Sequence, residues 1–192
     1  MCKFCNLNDG SEVFESEHFR VIVSLGALVE GWLLVVPKQH MLALAEMNPE
    51  LAAEYDSVAN RFRSKLRLKF GAVAEFEHGP GECNSSAGCT IDHAQSHLVP
   101  TNINLLAAAQ TKLPGVGWRQ VQHVTDLSTD HDARQAYLYL RQNGRSWAAV
   151  AGELPSQFFR RIIAEELKLG EFDWRKDSRP STVAASLAAL QA

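Results

Sequence analysis

The chain has 192 residues and a formal net charge of -3, which suits one domain with a terminal elaboration and is unlike a polybasic nucleic-acid binder. Hydrophobic residues make up 46% and charged residues 21%, ordinary values that supply a packed core while leaving room for a local basic site for a small anion. The longest apolar stretch, 31–37, is too short to span a bilayer, and Met1-Cys2-Lys3-Phe4 has no charged segment leading into an apolar one, so a cytoplasmic protein without a membrane partner is expected.

Residues 13–15 and 19–23 are predicted as two short strands around a turn at Ser16-Glu17-His18, with Val21, Ile22 and Val23 suited to a pleated surface. Residues 26–31 read as a loop. The apolar run 32–36, closed by Pro37, reads as a central strand. Asn48-Pro49-Glu50 marks a helix start: Asn48 caps, Pro49 fits the first turn and Glu50 complements the dipole. Leu51, Tyr55, Val58, Phe62 and Leu66 then recur at three- and four-residue steps and define the buried face. Arg61, Arg63, Lys65, Arg67 and Lys69 load the C-terminal part of this helix. They read first as a solvated helix end, with a surface for phosphate polymers as the alternative.

Residues 72–79 are predicted as a strand, 80–88 as a Gly-, Ser- and Asn-rich loop, and 89–99 as a strand stopped by Pro100. Residues 103–106, 118–121 and 137–141 are further strand candidates. Asn143-Gly144 is a strong hairpin signal that sets 146–150 antiparallel to 137–141. Residues 155–167 read as an amphipathic helix capped by Ser156, with Arg160 and Arg161 as candidate anion contacts or surface salt bridges. The Ala-rich tail 181–192 is predicted helical. His18, His123 and His131 read as surface residues.

The chemistry concentrates in Asp92-His93-Ala94-Gln95-Ser96-His97-Leu98-Val99-Pro100. Alternate residues of a strand share a face, so His93, Gln95 and His97 are expected to line one face together. His93 and His97 would then lie about 13 Å apart, at ~3.3 Å per residue, and serve different tasks. Two satisfied histidines on an exposed strand are the alternative. Cys2-Lys3-Phe4-Cys5 supplies two zinc-type ligands, and His40 and His93 complete a Cys2His2 set that would bind Zn2+ and tie the N-terminus to the core. Two free N-terminal thiols are the other reading. Residues 84–88, Asn84-Ser85-Ser86-Ala87-Gly88, offer backbone amides and hydroxyls for an anion nest, or form a plain solvated loop. Glu77 and His78 lie close enough in sequence to reach the same site.

Together these residues carry a resemblance. Cys2-x-x-Cys5, the strands at 13–15 and 19–23, Gly31-Trp32-Leu33-Leu34-Val35-Val36-Pro37-Lys38-Gln39-His40 against a family pattern GHxLVIPKxH, and His93-x-Gln95-x-His97 before Pro100 resemble the histidine-triad (HIT-like) superfamily. Residues 155–161 and Asp173-Trp174-Arg175 resemble, more weakly, the C-terminal part of its CwfJ-type branch, which is related to galactose-1-phosphate uridylyltransferases. The resemblance implies an α+β, HIT-like fold: an antiparallel sheet with packed helices, a core at 1–110, and a C-terminal α/β extension at 111–192 packed on the same domain. It also implies a nucleotide or nucleotide-like phosphate ligand. In the family the middle histidine attacks phosphorus to give a nucleotidyl-imidazole, the first orients it or binds zinc, and the third binds phosphate.

The decisive position departs from that pattern. Gln95 stands in the slot of the nucleophile, and an amide is neither a useful nucleophile nor a base. The family's acidic residue near the end of the second strand is also absent, Ser24-Leu25-Gly26 standing there. The resemblance therefore implies a hydrolase or nucleotidyl transferase acting on a nucleotide-derived phosphoester, phosphoanhydride or phosphoramidate by a non-standard route. Gln95 and His97 would be catalytic, and Asn84, Ser85, Ser86, His97, Gln157 and Arg161 would bind substrate. A catalytically silent nucleotide-binding or partner-binding protein is the alternative. A homodimer is compatible with the resemblance.

Overall fold

In a computed structural model, residues 2–7, 10–83, 91–151 and 154–191 are described. Eight strands form one antiparallel sheet: β1 (Glu12–Glu15), β2 (Phe19–Val23), β3 (Leu33–Pro37), β4 (Val73–Gly79), β5 (Ser96–Pro100), β6 (Trp118–Val121), β7 (Ala136–Gln142) and β8 (Arg145–Ala151). Their spatial order is β1-β2-β3-β5-β4-β7-β8-β6. The three late strands thus extend the sheet beyond β4. Both faces carry helices: α1 (Pro49–Phe70), α2 (Leu105–Lys112), α3 (Ser128–Asp132), α4 (Phe158–Glu166) and α5 (Pro180–Gln191).

Strand alternation divides the core. Val21, Val23, Leu33, Val35 and Leu98 pack with Tyr55, Val58, Phe62 and Leu66 of α1. Ile22, Leu34, Val36, Phe76 and Val99 point the other way, toward Leu105 of α2 and Phe158, Phe159, Ile162 and Ile163 of α4. Local signals act as expected at α1, where the Asn48 side chain accepts from Leu51 N and Pro49 opens the first turn. The β7–β8 hairpin turns through Asn143 and Gly144, both at positive φ (53° and 76°), a conformation that Asn and Gly adopt most readily.

Four expectations are corrected. Residues 105–112 are helical, not a strand; Asn104 accepts from Ala107 N and caps a run of helix formers. The strand expected from 89 begins only at Ser96. Before it, His93 N bonds back to Ile91 O and Ala94 N bonds to Met41 O, so these amides turn away from the ladder. Helix α4 begins at Phe158 rather than 155; its N-cap is Gln157 at φ 57°, whose own side chain makes no capping bond. His123 and His131 are largely buried, with Nε2 atoms 3.3 Å from Asp56 and 3.1 Å from Glu46, so neither is a plain surface residue.

Candidate functional site

The late start of β5 separates the three triad positions. His93 lies in the bend before the strand, and its ring faces the N-terminal thiols. Cys2 Sγ is 3.2 Å from His93 Nδ1, and Cys5 Sγ is 3.7 Å from the same atom and 3.5 Å from His40 Nδ1. The two Nδ1 atoms are 3.3 Å apart. A tetrahedral zinc with bonds of ~2.3 Å to sulfur and ~2.0 Å to nitrogen has edges of ~3.5 Å between S and N and ~3.3 Å between N and N. The donor set therefore fits a four-ligand metal centre. His93 Nε2 donates to Pro37 O at 2.8 Å, which leaves Nδ1 as the nitrogen that could ligate a metal.

Gln95 and His97 instead line a cleft of about 430 Å³ on the α4 side of the sheet. Ile22, Leu34 and Phe4 are among its apolar lining, and Ser24, Lys3, Arg160 and Trp174 also line it. Among the described residues, no carboxylate lines it and two cations, Lys3 and Arg160, do. The cysteine pair brackets two of these residues, Lys3 and Phe4. Phe4 packs edge-on against the His93 ring at 5.7 Å, so the thiol–imidazole cluster sets one wall of the cleft.

His97 is 2% exposed and lies on Phe76, ring centroids 4.7 Å apart and nearly parallel at 14°. The Trp32 indole N–H donates to His97 Nδ1 at 3.0 Å. The proton of the neutral ring must therefore sit on Nε2. Burial first, and then the Arg160 and His78 charges, hold the His97 pKa well below the usual histidine range. His78, on the same face, is pushed down to about 3 by burial and by Arg160. Its Nε2 accepts from Phe159 N at 3.1 Å, so the start of α4 is engaged by an imidazole.

Arg160 is the cation that α4 delivers to this cleft. Its guanidinium lies 4.4 Å from the Trp32 ring centroid. Nη1 donates to Gly26 O, and Nη2 donates to Ser24 Oγ at 2.9 Å. Ser24, where the family pattern has an acid, thus holds a guanidinium. The segment carrying Trp174 closes over the same loop: Gly26 N donates to Ser178 O at 2.8 Å. A Cβ on Gly26, which sits at φ +64°, would come within 2.5 Å of Trp174 Cβ.

The other expected ligand contacts fall elsewhere. Gln157 is fully buried beside the cleft, not in its lining; Nε2 donates to Asp173 Oδ1 at 3.1 Å and Oε1 accepts from Trp174 N at 3.4 Å. It positions the Trp174 segment. Arg161 is exposed and lines a separate groove with Glu165 and Asp173. Arg160, not Arg161, is the residue turned to the sheet, where it lies on Trp32. Glu77 points to the opposite face, where it accepts from Leu44 N and Tyr137 Oη. Asn84, Ser85 and Ser86 lie outside the described residues. Sequence reasoning missed Lys3, Ser24 and Trp174 as cleft residues. Trp32 carried a visible signal, standing where the family segment has histidine.

A family model described as HIT domain matches residues 7–111. The chain belongs to the HIT domain family. The matched span holds β1–β5, α1 and α2, including Gln95 and His97; β6–β8 and α3–α5 of the HIT chain lie beyond it. Protein hit of Bacillus subtilis (strain 168) is 26% identical over 106 residues, covering 52% of this chain and 70% of the relative. Among solved structures, a HIT family protein from Bacillus anthracis is 28% identical, covers 54% of this chain and 74% of its own, and superposes with a TM-score of 0.45. A HIT family hydrolase from Clostridium thermocellum is 20% identical, with 54% and 91% covered and a TM-score of 0.41. Among the described residues, no helix is long and apolar enough to cross a membrane.

Proposed function

We propose that this HIT chain binds a nucleotide-type phosphate ester in the cleft of Gln95, His97 and Arg160, without forming a covalent nucleotidyl-histidine. The observation that carries this reading is the pairing of Gln95 and His97 in a cleft whose lining, among the described residues, has cations and no carboxylate. The apolar wall of Ile22, Leu34 and Phe4 suits a base or ribose face, and the Arg160 fork and Lys3 suit phosphate oxygens. Gln95 can donate and accept hydrogen bonds but cannot attack phosphorus. His97 is no substitute nucleophile, because its one basic nitrogen already accepts the Trp32 indole N–H. With Nδ1 accepting from Trp32, Nε2 carries the ring proton and is a hydrogen-bond donor. The 111–192 extension supplies Arg160 and Trp174 to the cleft, which supports the CwfJ-like placement of residues 155–161 and 173–175.

Zn2+ on Cys2, Cys5, His40 and His93 is part of the same proposal. A centre with four protein ligands has no open position, so its role is structural: it fixes Lys3 and Phe4 against the cleft. The polar amide of Gln95 at the cleft wall favours a second reading, slow hydrolysis or transfer with Gln95 orienting water or another acceptor.

Tryptophan fluorescence tests the binding reading, since Trp174 lines the cleft and Trp32 adjoins it. Titration with AMP, GMP and UMP should give a saturable change for at least one. Arg160→Lys, which keeps charge but loses the fork, should weaken it by about tenfold, ~1.4 kcal/mol. Arg161→Ala should leave it unchanged. No saturable change with any of the three would remove the reading. Turnover of an adenosine phosphoramidate that is lost in Gln95→Leu would establish the second.

A further inference from the structure

On the opposite face of the sheet, the five basic residues of α1 divide into distinct tasks. The Arg61 guanidinium lies 4.5 Å from the Phe14 ring centroid. Lys65 and Lys69 donate to Leu190 O and Ala189 O, the last carbonyls of α5, where cations complement a helix C-terminus. Arg63 and Arg67 remain. They line a groove of about 670 Å³ with Arg141 of β7, Ser64 and Asn143 of the hairpin turn.

Charge in this groove is unbalanced. Glu75, buried beneath it, accepts from Arg63 and from Tyr55 Oη, and stands directly across the ladder from Arg141. Asp56, the other nearby acid, is engaged by His123. Among the described residues, no carboxylate is part of the groove lining itself. Among the described residues, neither Arg67 nor Arg141 forms a side-chain hydrogen bond or ion pair. Burial first, and next the Arg141 charge, lower the Arg63 pKa, so like charges are held together here. Guanidinium forks placed around a small volume match the oxygens of phosphate groups.

We propose that the groove between the C-terminal half of α1 and the β7–β8 hairpin binds a compact, multiply charged phosphate anion of the di- or triphosphate type. This site lies on the opposite face of the sheet from the Gln95–His97 cleft, because Glu75 and Phe76 are successive residues of β4 facing opposite sides. It does not depend on what the cleft binds.

The test uses the full chain with inorganic tripolyphosphate, at about 0.15 M salt, where exposed charges are screened beyond ~8 Å. Calorimetry should show saturable binding, and amide NMR should place the largest shifts at Asn143, Gly144 and Arg67. Arg67→Glu, at an exposed position, and Arg141→Gln should each weaken binding by at least about tenfold. Arg61→Ala, which removes one positive charge from the same helix, should not. Equal weakening by Arg61→Ala, the largest shifts at Ser24 and Gln95, or no binding would each overturn the proposal. So would a short single-stranded oligonucleotide binding through the same arginines where tripolyphosphate does not, since that would mark a polymer surface.

Discussion

The indole N–H of Trp32 donates to Nδ1 of His97 across 3.0 Å, joining residues 65 apart in sequence. The same indole carries the Arg160 guanidinium on its face. A tryptophan immediately before β3 therefore fixes both the tautomer of the last triad residue and the cation that the C-terminal extension brings to it. With Gln95 beside them, the role proposed for the cleft is to hold an anion rather than to attack one.

Trp32→Phe removes that donor and leaves His97 Nδ1 buried. The variant should lose about 1–3 kcal/mol in urea unfolding. Imidazole nitrogen NMR of the unaltered protein should show His97 as the Nε2–H tautomer, still neutral at mildly acid pH. An Nδ1–H tautomer would refute the assignment.

Stability should respond to acid with a defined sign. His78 and His97 have folded pKa values below their unfolded value of ~6.5. The unfolded chain then binds more protons, and the stability present above pH ~6.5 is lost as pH falls. Glu77 works in the opposite direction: burial raises it from 4.5 to about 7, so acidification through that window favours the folded state. Glu77→Gln should therefore steepen the loss between pH ~6 and ~5 by about 1 kcal/mol per pH unit. Paired urea series at equal metal loading would measure it, and parallel slopes would contradict it.

Metal analysis of freshly purified protein should find about one zinc per chain, lost in Cys5→Ala or His93→Ala. Chelation should lower Tm and weaken nucleotide binding together, because Lys3 and Phe4 lie between the two thiols. Protein that purifies metal-free with unchanged Tm after added zinc would argue for free thiols.

Gln95→His should acquire covalent labelling by an adenosine phosphoramidate, detected as an added nucleotidyl mass at residue 95, while the parent chain gains none. Labelling of the parent chain would show a nucleophile other than the one the cleft lacks.

Much of the fold was legible because local chemistry and tertiary demand agreed. Asn48-Pro49 capped a helix, Asn143-Gly144 turned a hairpin, and the β-branched run at 21–23 made a strand. The errors share a physical cause. Ile103-Asn104-Leu105-Leu106 is apolar enough for a strand, yet the Asn104 side chain caps a helix there. The alternation of 93, 95 and 97 was read as one strand face, but the first of these sits in a bend whose amides bond elsewhere. Arg161 shares a helix face with Gln157, yet it is the neighbouring Arg160 that reaches the cleft. The four metal-ligand candidates were legible as residue types at plausible spacing, and the structure brings their ligand atoms within 4.8 Å of one another. Lys3, Ser24 and Trp174 were not legible as site residues, because only the folded chain brings the N-terminus, the end of β2 and the extension together.

The most direct measurement is a crystal structure of the zinc-loaded protein grown with AMP. Phosphate density should lie within hydrogen-bonding reach of Gln95, His97 Nε2 and Arg160, with no bond from phosphorus to protein. Phosphate held only by Arg63, Arg67 and Arg141, or a cleft that stays empty at saturating AMP, would contradict the account.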